Sequence, residues 1–281
     1  MRFDSTRVMA TVEGLREPRF AGVDGREQLS GLAAERLAEA GWRVEWIGGE
    51  ADSRLRRPSL ESLIARAPRE KPAPCRILIH ARLNRLMVDD PSSRLGGLVK
   101  GLFRRETSVD PDASNPHDLS AIAMLLELAR SWPRSWFDRA ELILAATGGG
   151  SEPFADAATI ARRFDPVSTG IPTLLLSVFG PGVGRELAIV SPRHEDLAGS
   201  CAKSLWLPVA PSPSLSLQRR LWPDSTVQSF PDRIALIGAG LLEMTPPPLD
   251  ADALQRAAQL VAEIALRWSK RSNDAAIQAG P

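Results

Sequence analysis

Ile77-Leu78-Ile79-His80-Ala81-Arg82, entered through Cys75-Arg76, is the stretch on which the fold turns. Its apolar residues do not alternate with polar ones, so it reads as a strand over 75–80, buried on both faces and ending in a histidine. Three further runs have the same texture: 141–146, 171–179 and 233–237. Shorter strands are expected at 43–47 and 186–190. Between the runs lie amphipathic segments with helical spacing. Leu29, Leu32, Ala33 and Leu37 share one face of 25–40, with Asp24 as N-cap and Gly41 as the stop. Leu119, Ile122, Leu126 and Ala129 share a face of 118–132, and Leu197, Cys201 and Leu205 align within 195–206. Asp250 caps a long helix striped by Leu254, Ala258, Val261, Ala265 and Trp268. Buried strands alternating with helices predict a three-layer α/β sandwich, its mixed sheet mostly parallel and helices on both faces.

The chain of 281 residues shows no internal repeat and no dividing linker. One domain over 1–271 is expected, followed by a disordered tail over 272–281. The charged, proline-punctuated segment 52–74 reads as a surface connection, and 154–164 as a short helix. Two loops stand out: a Pro/Ser-rich one over 209–223 and a long one over 84–113, without sustained periodicity, of a length that often lies over a site. Within the latter, 93–105 carries Arg94, Lys100, Arg104 and Arg105 with no acid, interleaved with Leu98, Val99, Leu102 and Phe103. That mixture suits a docking segment for an acidic partner or a neighbouring subunit, and equally a disordered insertion.

Bulk properties exclude several classes. An apolar content of 43% can build a large core, and a net charge of +1 supplies no general attraction for nucleic acid or anionic membrane. Cys75 and Cys201 have neither metal-ligand nor C-x-x-C spacing, so two reduced, buried thiols are expected. Residues 1–15 show no apolar leader core, and the expectation is a soluble cytoplasmic protein.

Familiar motifs fail in informative ways. Thr147-Gly148-Gly149-Gly150-Ser151 sits between a strand and a helix. Backbone N–H groups could cradle an anion there, but the lysine of a P-loop is missing and a plain turn is the competing reading. Gly149-Gly150-Ser151-Glu152-Pro153 ends in proline where a nucleophile elbow needs glycine. Gly238-Ala239-Gly240 lacks the third glycine of a dinucleotide fingerprint. His194, in a polar run, is expected to be solvated, and Trp132, Trp136, Trp206, Trp222 and Trp268 to pack in the core or at helix ends.

The order of the segments resembles a known family. Arg19-Phe20-Ala21-Gly22-Val23-Asp24-Gly25, with the helix and strand that follow, is similar to the opening R-x-x-G-T turn, helix and strand of the zinc aminopeptidases, a family that includes glutaminyl cyclases. Ser120-Ala121-Ile122-Ala123-Met124 resembles the helix after that family's D-D-x-x-S-G signature, and 171–173, 224–237 and 249–268 resemble its later strands and closing helix. The resemblance implies two co-catalytic zinc ions, and carboxylates are needed to neutralise about four positive charges and bridge the ions. Carried across, His80 matches the first zinc histidine, but Arg82 stands where the family keeps an aspartate. His117 falls at the bridging carboxylate, with Asp118 beside it. Thr147 and the glycines after it replace the paired glutamates, one a general base, and Ser177 replaces an aspartate ligand. No histidine occurs in 241–248 for the last ligand. A fixed guanidinium opposes a nearby dication, and threonine cannot act as a base at neutral pH.

The implied protein is therefore a degenerate aminopeptidase-like chain, catalytically inactive and without a cofactor. It is expected to hold a protein or small-molecule partner in the old cleft, with self-association as a further possibility. The alternative is an active metallohydrolase whose zinc is held by His80, His117 and Asp118.

Overall fold

In the computed structural model, the described residues are 2–16, 22–47, 62–82, 116–136, 140–147, 160, 163–211, 230–242 and 247–279. Their strands are β1 (Arg43–Ile47), β2 (Ser62–Arg66), β3 (Arg76–Arg82), β4 (Glu141–Thr147), β5 (Thr173–Phe179), β6 (Leu187–Val190), β7 (Val209–Ala210) and β8 (Arg233–Gly238). All eight join one sheet in the order β1-β2-β4-β3-β5-β8-β6-β7. The four strands expected from continuous apolar runs are its centre, β4-β3-β5-β8, and every pairing among them is parallel. The margins are mixed. β1 and β2 run antiparallel to each other and β2 to β4, β6 runs antiparallel to β8, and the two-residue β7 runs parallel to β6.

The pleat sends alternate residues of each central strand into different cores. Ile77, Ile79 and Ala81 of β3 meet Leu142, Leu144, Leu174, Leu176 and Leu236 on one face. Against that face pack α1 (Ser5–Leu15), α2 (Gly22–Glu39), α3 (Pro116–Ser131), α5 (Glu195–Ser204) and α6 (Ala251–Ala279). Leu78 points the other way, into a second core with Ile64, Ile143, Leu175, Ile237, Ile160, Phe164 and Phe230. The short α4 (Pro166–Thr169) follows Phe164, with Asp165 at its N-cap and Gly170 left-handed at φ 66°. α3 is the innermost helix, and every residue from Leu119 to Ala129 is buried. At the opposite end of the sheet from the strand C-termini, Glu141 ties neighbouring strands together. Its Oε1 accepts from Arg66 at 2.8 Å and its Oε2 from Arg76 at 2.7 Å.

Several expectations need correction. The segment 52–74 contains a strand, β2, buried between β1 and β4. α1 covers part of a stretch inspected only for a leader; Val8, Val12 and Leu15 fall on one of its faces and are all buried. β3 does not end at His80 but runs two residues further, to Arg82. α6 continues through 272–279, where a frayed tail was expected, and Asn273 lies there against Cys75, its Oδ1 3.8 Å from Sγ. The 84–113 loop, most of the 154–164 helix and most of the 209–223 loop lie outside the described residues. Among the described residues, no helix is long and apolar enough to cross a membrane.

Glycine acts as a spacer at one crossing. A side chain on Gly238 would fall 2.2 Å from the Gly180 carbonyl oxygen and 2.8 Å from that of Val183. The Gly238-Ala239-Gly240 run thus lets the 180–184 turn pass against the end of β8, which is a packing role.

Candidate functional site

The matched His80 and the replaced Thr147 and Ser177 converge where β3, β4 and β5 end. His80 and Ser177 stand directly opposite each other in the parallel register of β3 and β5. Thr147 is one pleat beyond Ala145, the β4 residue opposite His80. All three share the parity of the second core, so their side chains rise on the same face. His80 Nε2 lies 3.0 Å from Thr147 Oγ1, and Nδ1 lies 3.4 Å from Ser177 Oγ. Exposure is 6% at His80, 5% at Thr147 and 0% at Ser177. The imidazole thus has a hydroxyl at each nitrogen. A neutral ring offers one donor and one acceptor, and hydroxyls can answer either, so both tautomers are satisfied. Burial makes these contacts matter, because an unmet ring nitrogen here would carry its full desolvation cost.

The described groups around His80 do not by themselves make a zinc site. The metal takes imidazole, thiolate or carboxylate ligands, whereas His80 is flanked by two neutral hydroxyls. No group of three His, Cys, Asp or Glu among the described residues could hold a metal ion. His117 and Asp118 lie in the first turn of α3, and Arg82 ends β3 in register with Thr147; their side chains, like Gly148 to Ser151 and the rim residues Arg94, Lys100, Arg104 and Arg105, lie outside the described residues.

Two aromatic or titratable positions depart from expectation. His194 is not solvated: its Nε2 lies 2.9 Å from Asp232 Oδ1, and the side chain is 19% exposed. A histidine at a helix start and an aspartate just before β8 were too far apart in sequence to pair on inspection. Trp206 does not pack in the core. It is 92% exposed and sits at φ 54° just after α5. Its N–H donates to the Lys203 carbonyl at 3.1 Å, and the Leu207 N–H to that of Ala202 at 3.0 Å. Those bonds form a Schellman helix end, whose left-handed position usually belongs to glycine. Trp132 and Trp268 are core residues, and Trp132 meets Trp136 edge to face at 5.4 Å.

Sequence inspection also passed over Glu127. It is 4% exposed inside the apolar run Ala121–Ala129, and a lone acid amid such a run is the signal that could have marked it.

The same architecture recurs in solved structures. LapB from Legionella pneumophila superposes with a TM-score of 0.70 at 12% identity, covering 95% of this chain and 73% of LapB. The chain has the fold of the zinc aminopeptidases and glutaminyl cyclases. The LapA aminopeptidase of the same organism gives 0.65 at 10% identity, covering 95% of this chain and 72% of LapA. The Fimbriiglobus ruber glutaminyl cyclase gives 0.64 at 13% identity, covering 94% and 96%. No family model and no curated protein sequence matches the chain. An aminopeptidase-like fold at this identity reflects conserved layers and strand order, and function has to be argued from the side chains.

Proposed function

We propose that this chain is a degenerate, cytoplasmic aminopeptidase-like protein that performs no two-zinc chemistry and binds a small ligand or partner in the cleft above the ends of β3, β4 and β5. One observation carries the reading: His80, at the first-ligand position of the resemblance, is buried between the hydroxyls of Thr147 and Ser177. In the resemblance the Thr147 and Ser177 positions would have to supply carboxylates to ligate the metals and take a proton from water. Serine and threonine do neither at neutral pH. Here both hydroxyls serve the buried imidazole.

The test is metal analysis of the purified chain together with assays on aminoacyl amides and on peptides with N-terminal glutamine. The expected result is less than stoichiometric zinc and no hydrolysis or cyclisation above a chelator-treated control. One or two zinc ions per chain with chelator-sensitive turnover overturns the proposal and supports a divergent site built from His80, His117 and Asp118.

A further inference from the structure

A cleft of about 400 Å³ opens on the outer surface of the helical layer, between α1, α2 and α3. Its apolar floor comes from Leu15, Leu32 and Leu126, which belong to or rest against the core on the face opposite His80. Each helix adds an arginine to the rim: Arg7 from α1, Arg36 from α2 and Arg130 from α3. Arg7, Glu127 and Arg130 also line an adjoining recess of about 480 Å³, to which Arg2 contributes a fourth guanidinium. Among the described residues, Glu127 is the one acid lining either space.

The charges are arranged unequally. Arg7 is held, its Nη2 3.0 Å from Asp4 Oδ2 and its Nη1 3.7 Å from Glu127 Oε2. Arg36 and Arg130 are exposed and have no ion-pair partner among the described residues. Two guanidinium groups with no ion pair among the described residues, Arg130 standing near Glu127, lie over an apolar floor and make a site that suits an oxyanion on a short hydrocarbon body. Gly14 supplies a second, independent observation. It sits one turn from Ala10 and Thr11 on the cleft-facing side of α1, and a side chain built there meets nothing within 4 Å. The missing side chain leaves the space above this last turn of α1 open.

We infer that this cleft binds a small amphipathic anion, with a carboxylate or phosphate head on Arg36 and Arg130 and an apolar body over Gly14, Leu32 and Leu126. The site is separate from the His80 cleft and does not depend on its reading.

The test is calorimetric titration of the full chain at low salt with hexanoate and hexyl phosphate, using inorganic phosphate and hexanol as controls. At least one of the two amphipathic anions is expected to bind saturably, inorganic phosphate more weakly, and hexanol not at all. The stronger of hexanoate and hexyl phosphate identifies the head group. Arg36→Gln and Arg130→Gln are each expected to weaken binding about tenfold or more at unchanged melting temperature. Gly14→Phe should block the cleft, and His80→Ala should leave binding as it was. Failure of both anions to bind overturns the inference. So does hexanol binding as well as they do, or wild-type affinity in Gly14→Phe or in the two arginine variants.

Discussion

The indole N–H of Trp42 donates to the carbonyl of Ala129 across 2.9 Å, joining the entry of β1 to the last turn of α3. The helix cannot satisfy that carbonyl itself. The amide four residues on belongs to Pro133, which has no N–H. Trp42 is 5% exposed, so water is a poor substitute. Trp42→Phe keeps most of the apolar contact and removes the donor. It is expected to cost about 1–3 kcal/mol, read as a lower midpoint in urea denaturation with an unchanged slope.

Ser177→Ala removes the hydroxyl opposite His80 Nδ1 at a position with 0% exposure. The expected loss is about 1–3 kcal/mol. Thr147→Val should cost a similar amount, and the double variant less than the sum, because both act on one imidazole. Thermal denaturation of the four-member cycle measures the coupling; strict additivity would show that the two hydroxyls do not act through His80.

Both thiols should be silent. Burial pushes the Cys75 thiol up to about 11, against the opposing effect of Arg69, and burial also raises Cys201. At pH 8 little thiolate forms at either site, so a disulfide reagent should label neither in the native chain and both in denaturant. The sign for stability follows from linkage. The unfolded chain releases the Cys75 proton near pH 9, before the folded chain does, so this contribution is intact below pH 9 and lost as pH rises toward 11. Cys75→Ser should flatten that alkaline limb.

Burial raises the Glu127 carboxyl, with Arg7 and Arg130 pulling it back down and Asp4 facing it as well. The folded chain therefore holds this proton to higher pH than the unfolded chain. Stability from this group is greatest below the ordinary carboxyl range and falls as pH rises through the raised value. Glu127→Gln should remove that slope in melting temperatures taken across mildly acidic pH, while a variant at exposed Glu13 leaves it in place.

Trp206→Gly tests the end of α5. A non-glycine residue in the left-handed region costs about 1–2 kcal/mol, and a side chain 92% exposed gives up almost no packing when removed. The variant should be about 1 kcal/mol more stable, read from its melting temperature. A fall in stability would mean that the indole makes contacts its exposure does not suggest.

How far the sequence could be read depended on the contrast each element made with its surroundings. β3 and β5 announced themselves through the unbroken apolar runs Ile77-Leu78-Ile79 and Leu174-Leu175-Leu176, as burial on two faces demands. β2 did not, since Ser62-Leu63-Ile64-Ala65-Arg66 is five residues long and sits among charges and prolines. α1 carries just three buried positions, Val8, Val12 and Leu15, too few to rise above a polar background. At the site, His80 was legible as the histidine that closes the apolar run Ile77-Leu78-Ile79. Its partnership with Ser177 and Thr147 was not, because it depends on a register between strands about 70 and 100 residues apart in the chain, and nothing local encodes that.

The contact of α1 with α6 has a consequence for synthesis. Val8, Val12 and Leu15 are made well before the helix that completes their cover, which begins only at Ala251. At about 5–20 residues per second that interval lasts roughly 10–50 s. During it the apolar face of α1 can pack on α3 but lacks α6, so its cover stays incomplete until the last helix docks.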